Sequence, residues 1–95
     1  MGSAQWSKTL FNNRYLLQVA FAIADSEGAV ESSALQAELG LSQPAVQRAL
    51  RVLEEVELIT RQPRASRTEH LPYRRVEHPF WETAKALVVA AEARP

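Results

Sequence analysis

Four side chains that can hydrogen-bond to the edges of DNA bases lie close together in this chain: Gln43, Gln47, Arg48 and Arg51. Arginine can pair with guanine O6 and N7 in the major groove, and glutamine can pair with adenine. The apolar residues around them recur at helical spacing: Val46, Ala49, Leu50, Leu53 and Val56. This spacing predicts a helix over residues 43–56 with the polar side chains off its apolar face. That polar face is interpreted either as a base-reading surface or as an ordinary solvated one, since glutamine and arginine are good helix formers anyway.

The residues before this helix have the signals of a shorter helix and a tight turn. Ser32 or Ser33 is expected to cap the shorter helix, and Gly40 is expected to end it. Ser42 should cap the longer helix, with Pro44 in its first turn, where a missing N–H costs nothing. Free amides at a helix start also suit phosphate, so Ser42 and the residue after it are candidate phosphate contacts.

Two strand candidates, residues 58–61 and 73–76, follow the longer helix. The segment between them is polar, basic and bracketed by prolines, which predicts a hairpin with a long tip, or wing, over residues 62–72. Arg64 and Arg67 lie at this tip, from which side chains commonly reach the minor groove or the DNA backbone. The alternative interpretation is an exposed loop that its charge keeps soluble.

Three further arginines lie on the predicted strands. Side chains alternate along a strand, so only one of Arg74 and Arg75 would point towards DNA, together with Arg61. The complete set of residues predicted to contact DNA is Ser42, Gln43, Pro44, Gln47, Arg48, Arg51, Arg61, Arg64, Arg67 and Arg74.

Apolar helices are predicted at both ends of the chain. The first covers residues 9–25, and the last starts at Pro79 with His78 or Glu77 at its cap. Their two apolar stripes exceed what one small core needs, which favours a homodimer formed through the first and last helices. We therefore expect core or dimer contacts, rather than an effector pocket, from Trp6, Phe80 and Trp81. The chain is predicted to form one domain over residues 9–92, after an N-terminal tail of residues 1–8.

Composition excludes several classes of function. The 95 residues include no cysteine, so disulfides and thiolate metal sites are excluded. His70 and His78 have no metal-ligand spacing, and no catalytic arrangement is recognisable, so neither an enzyme nor a metal or other cofactor is predicted. No apolar run is long enough for a membrane span, and a cytoplasmic location is expected. Net charge is zero, but residues 61–75 hold five arginines against one acid, whereas residues 25–38 hold four acids and no base.

The order of these elements, α-(β)-α-α-β-β-α, predicts a mainly α fold with a small β-hairpin wing (α+β), the winged helix-turn-helix. Residues 34–62, ALQAELGLSQPAVQRALRVLEEVELITRQ, resemble the winged helix-turn-helix regulators of the MarR and ArsR type. The resemblance implies DNA binding as a dimer. The chain departs from the family pattern at Glu57, where such proteins usually carry glycine. It also lacks the cysteine and histidine clusters of metal-sensing ArsR-like proteins.

Together these features predict a sequence-specific double-stranded DNA-binding transcriptional regulator, most simply a repressor. Two subunits would place helix 43–56 in successive major grooves of an inverted-repeat operator, about 34 Å apart. The competing hypothesis is a winged helix that docks a protein partner, which the zero net charge and the acids Glu54, Glu55 and Glu57 keep open. The chain is also interpretable as the DNA-reading part of a longer protein. The sequence identifies no effector.

Overall fold

The computed structural model describes residues 2–63 and 72–93, in which five helices pack with a small antiparallel sheet. The elements are α1 (Ser3–Phe11), α2 (Leu16–Ala24), β1 (Ala29–Glu31), α3 (Ser32–Leu39), α4 (Gln43–Glu55), β2 (Ile59–Arg61), β3 (Pro72–Arg75) and α5 (Phe80–Ala93). The expected winged helix-turn-helix order is confirmed, with one more helix than the sequence predicted.

The single helix expected over residues 9–25 is wrong, because two helices, α1 and α2, meet at a corner. α1 begins at Ser3, inside the segment expected to be a tail. It ends at Phe11, and the capping residue Asn12 has a left-handed φ of 54°, a conformation that asparagine tolerates better than most residues. Apolar residues continue at helical spacing on both sides of the corner, so periodicity alone does not reveal it.

A buried hydroxyl fixes this corner. Ser7 on α1 donates through its Oγ to the carbonyl of Asn13 and accepts the N–H of Leu17 at 3.0 Å. The Asn13 side chain in turn accepts the N–H of Tyr15 at 3.1 Å. Backbone groups that the corner leaves without helical partners are therefore paired.

Helix α2 lies at the centre of the core, packed against α1, α3, α4 and α5. The largest fully buried apolar side chains come from α2, α3, α4 and the two wing strands: Leu17, Val19, Ile23, Leu35, Val46, Leu50, Leu53, Ile59 and Tyr73. Trp81 on α5 joins this core and donates its indole N–H to the carbonyl of Val76 at 2.8 Å. Phe80 packs edge-to-face on Trp81 with ring centres 5.1 Å apart, which agrees with a core role for both rings.

Helices α1 and α5 also pack against each other. The N–H of Ser3 at the start of α1 donates to Glu92 Oε1 near the end of α5 at 3.0 Å. Hydrogen bonds from the Ser3 side chain and backbone hold the pKa of Glu92 below its ordinary value of 4.5. The Glu92 carboxylate therefore links the start of α1 to the end of α5.

The sheet has the order β1-β3-β2, with both pairs antiparallel. β3 lies in the middle, so that Tyr73 is opposite Val30 on one side and Arg61 on the other. This pairing attaches the wing strands to the strand before α3. It also places the predicted hairpin beside the helix-turn-helix.

Several predicted boundaries need correction. α3 begins directly after β1, so Glu31 occupies its cap position and forms no side-chain cap, contrary to the prediction for Ser32 or Ser33. α4 ends at Glu55 rather than at residue 56. β2 begins one residue later than predicted, and β3 lies one residue earlier than predicted. By contrast, Gly40 ends α3 with a left-handed φ of 65°, as expected for a glycine there.

Candidate nucleic-acid interface

The turn between α3 and α4 fixes where α4 starts. Ser42 caps α4, and its hydroxyl accepts the N–H of Ala45 at 3.3 Å. Pro44 lies in the first turn, where it removes no helical hydrogen bond. Because Gly40 allows the tight reversal, α4 emerges across α3 with its first turn open to solvent.

One side of α4 is buried and the other is open. Val46, Ala49, Leu50 and Leu53 are at most 1% exposed and hold the helix on the core. The four predicted base-reading residues and Pro44 form the outer side and line a shared surface depression: Gln43, Pro44, Gln47, Arg48 and Arg51. Among the described residues, neither Arg48 nor Arg51 pairs with an acid. The structure therefore presents a polar and basic surface, and no carboxylate from residues 2–63 and 72–93 lines it.

The three described wing arginines have different surroundings. Arg61 forms an ion pair with Glu54 at 3.1 Å, and its guanidinium lies 6.0 Å from the centre of the Tyr73 ring. Arg74 is exposed on β3, opposite Thr60 and Ala29. Arg74 is thus open to an external ligand, whereas Arg61 is already held against the rear of α4.

Arg75 has an internal partner. Its Nη1 donates to the carbonyls of Ile23, Ala24 and Ser26 at 2.6, 2.9 and 3.2 Å. These carbonyls lie at the end of α2, where a helix exposes unpaired acceptors and a partial negative charge. Arg75 therefore links the wing to α2 and points away from Arg74.

Two predicted DNA contacts, Arg64 and Arg67, lie outside the described residues, as does most of the wing expected over residues 62–72. Gln62, at its described start, donates from its amide to Thr60 Oγ1 at 3.0 Å. The histidine at position 70 also lies outside the described part.

The acidic end of α4 is separate from its open face. The last two residues of α4 are Glu54 and Glu55, and Glu57 lies just beyond the helix. These acids lie next to the exposed Val52 and Val56. Glu57 adopts a left-handed φ of 63°, at the position where the sequence departs from the family's glycine. The chain thus retains the left-handed turn at this position, although it carries glutamate rather than the glycine that favours this conformation.

Sequence reasoning missed two cations close to α4. Lys8 on α1 and Arg14 in the corner line a second depression together with Ala45 and Arg48 of α4. No spacing in the sequence indicates this proximity, because it results from the break between α1 and α2. The Asn12-Asn13 pair was the one local signal of that break.

The described residues form neither a metal-binding cluster nor a membrane-spanning helix. No group of three or more histidine, cysteine or acidic side chains within residues 2–63 and 72–93 is placed to hold a metal ion. In the same part of the chain, no helix has the length and apolar character needed to cross a bilayer.

Comparison with known proteins identifies the family. The fold is similar to the apo form of a double mutant of Lactococcus lactis ZitR, with TM-score 0.62 and 20% identity over 93% of this chain and 63% of that one. It is also similar to a possible transcriptional regulator from Methanosarcina mazei Go1, with TM-score 0.55 and 17% identity over 94% of this chain and 75% of that one. This chain thus spans under two thirds of the length of ZitR.

No curated protein sequence matches the chain. The MarR family model, however, matches residues 17–67, which are more than half of the 95 residues and include the turn and α4. The chain therefore belongs to the MarR family.

Proposed function

We propose that this chain binds double-stranded DNA as a homodimer and regulates transcription, with α4 in the major groove and the wing over residues 62–72 on the flanking backbone or minor groove. The observation that carries the proposal is the open face of α4: within the described part of the chain, no carboxylate lines this face and neither Arg48 nor Arg51 pairs with an acid. Family membership supports the same function.

The dimensions of α4 suit a major groove. Its 13 residues give a rod about 20 Å long, and a groove about 12 Å wide admits one helix. Arg48 and Arg51 would read guanine, Gln43 and Gln47 would pair with adenine, and Ser42 would approach a phosphate. The buried opposite face fixes the helix rotation, so these side chains point outward together.

Exposed apolar residues on the terminal helices support a homodimer. Leu10 on α1 is 58% exposed and Val89 on α5 is 63% exposed, although these two helices pack against each other. A second subunit would cover such surface, and its α4 would then lie one helical turn of DNA away, about 34 Å. Such a dimer would bind an inverted-repeat operator, and we place this function in the cytoplasm. A dimer bound at a promoter would block it, so repression is the simplest regulatory outcome.

The test is selection of binding sites from a random duplex DNA pool at moderate salt. Enrichment of an inverted repeat with half-sites one turn apart is the expected result. On that sequence, Arg48→Ala should weaken binding by about 1–3 kcal/mol and relax preference at one base pair. Lys85→Ala, which removes a cation from α5, is the matched control and should retain the preference.

A docking function remains the second candidate, because Val52 and Val56 are exposed beside Glu55 and Glu57. An apolar and acidic surface of this kind suits a protein partner rather than phosphate. Retention on heparin at low salt separates the two functions. A chain that passes through heparin and enriches no sequence would reject DNA binding in favour of docking.

A further inference from the structure

We infer that the corner between α1 and α2 is a second DNA-backbone contact, in which Lys8 and Arg14 bind phosphodiester oxygens beside the groove occupied by α4. The inference rests on the proposed DNA binding and adds a contact region that lies outside the helix-turn-helix and the wing. Its ligand is the phosphate backbone of duplex DNA, so it contributes affinity and orientation rather than base preference.

The geometry brings three cations to one depression. Lys8 comes from α1, Arg14 from the corner and Arg48 from α4, and the described residues that line the depression include no acid. Lys8 Nζ donates to the neutral Asn12 Oδ1 at 2.9 Å, so its charge is not compensated there. Among the described residues Arg14 forms no ion pair with a carboxylate.

The corner continues the proposed interface. Arg48 lines both this depression and the one on the open face of α4. A helix placed in the major groove has a phosphate strand on each side, and the corner extends the basic surface towards one of them. Arg48 is therefore the junction between base readout on α4 and backbone contact at the corner.

Internal hydrogen bonds hold the backbone of the corner. Ser7 is fully buried and ties the corner to both helices through its hydroxyl, and Asn13 pairs with the N–H of Tyr15. A cation on a fixed backbone loses less conformational entropy on binding than one on a loose loop. The hydrogen-bonded backbone of the corner distinguishes Arg14 from a cation on a loose surface loop.

The test is the salt dependence of binding by the full chain to a duplex of random sequence. Each phosphate contact contributes about 0.9 to the slope of log K against log salt. Each substitution removes one contact from each subunit of the proposed dimer, so Arg14→Gln should flatten the slope by about 1.8, and Lys8→Gln with Arg14→Gln by about 3.6. For the double variant, the ratio of Kd at about 200 mM salt to Kd at about 50 mM should fall roughly 150-fold relative to wild type.

Two controls give the result its meaning. Lys85→Gln makes the same change in charge on α5 and should leave the slope unchanged, whereas Arg51→Gln on α4 should flatten it. If Arg51→Gln flattens the slope and Arg14→Gln behaves like Lys85→Gln, the corner contact is wrong while DNA binding stands. If the wild type does not bind the duplex, both proposals fail. Unchanged thermal unfolding of Arg14→Gln separates lost contact from lost fold.

Discussion

Replacing Glu57 by glycine should stabilise the fold, because Glu57 holds a backbone conformation that residues with a side chain rarely adopt. Its φ is 63°. The left-handed conformation costs about 1–2 kcal/mol for a residue that carries a Cβ atom. Glycine avoids this cost but loses more backbone entropy on folding, which offsets about 0.5–1 kcal/mol. We expect the free energy of unfolding to rise by about 0.5–1 kcal/mol.

The hydrogen bonds among residues 2–63 and 72–93 support this arithmetic, since none of them uses the Glu57 side chain. Its N–H donates to the carbonyl of Glu54 at 3.0 Å, and the N–H of Leu58 donates to the carbonyl of Leu53 at 2.9 Å. Both bonds are backbone bonds that glycine retains. The Glu57 side chain is exposed, so its removal opens no cavity.

Urea unfolding at one fixed protein concentration measures the effect, since self-association would make stability depend on concentration. For a domain of this size, 1 kcal/mol corresponds to a Tm rise of about 4–8 °C. The matched control is Glu57→Ala, which removes the same charge but keeps the Cβ atom, and it should not gain this stability. Equal stabilisation by alanine and glycine would refute the backbone explanation and point to charge repulsion instead.

Two further predictions concern contacts within the fold. Arg75→Met should lower the free energy of unfolding by about 2 kcal/mol, because carbonyls at the end of α2 lose a charged donor. Arg74→Met is the control and should change the free energy of unfolding by less than about 0.5 kcal/mol. Equal effects of the two substitutions in urea unfolding would contradict the role of Arg75. Glu92→Gln should destabilise the protein at neutral pH by removing the carboxylate that accepts from Ser3. The pKa of Glu92 is lowered by folding, so its contribution is present above the ordinary value of 4.5 and is lost as pH falls through the folded value. Thermal unfolding across that range should show the variant and the wild type converging in acid, and a constant gap would argue against the carboxylate.

The helix-turn-helix could be predicted because its signals are local. Gly40, Ser42 and Pro44 each require a particular backbone conformation or capping partner, and the apolar spacing of α4 fixes its buried face. The left-handed turn at Glu57 has no such local signal, because its residue type disfavours that φ. It was indicated only by the resemblance to regulators that carry glycine there. The family match over residues 17–67 also confirms the resemblance to MarR-type proteins that residues 34–62 indicated.

Contacts between distant segments could not be predicted in the same way. The three carbonyls that bind Arg75 lie about fifty residues before it, and no local pattern links them. The ion pair between Arg61 and Glu54 similarly depends on how β2 returns along α4. Sequence reasoning counted Arg61 among the DNA contacts because it considers each cation without its tertiary partner.

The zero net charge of the chain is compatible with DNA binding because charges are separated along α4. The helical rise from Arg48 to Glu54 is about 9 Å, about one screening length of about 8 Å at physiological salt. A phosphate at the front of the helix therefore interacts mainly with Arg48 and Arg51, while Glu54 is occupied by Arg61 at the rear. Affinity should consequently fall steeply with added salt, although the net charge is zero. A salt-independent affinity would mean that the whole-chain charge governs binding and that the local field of α4 does not.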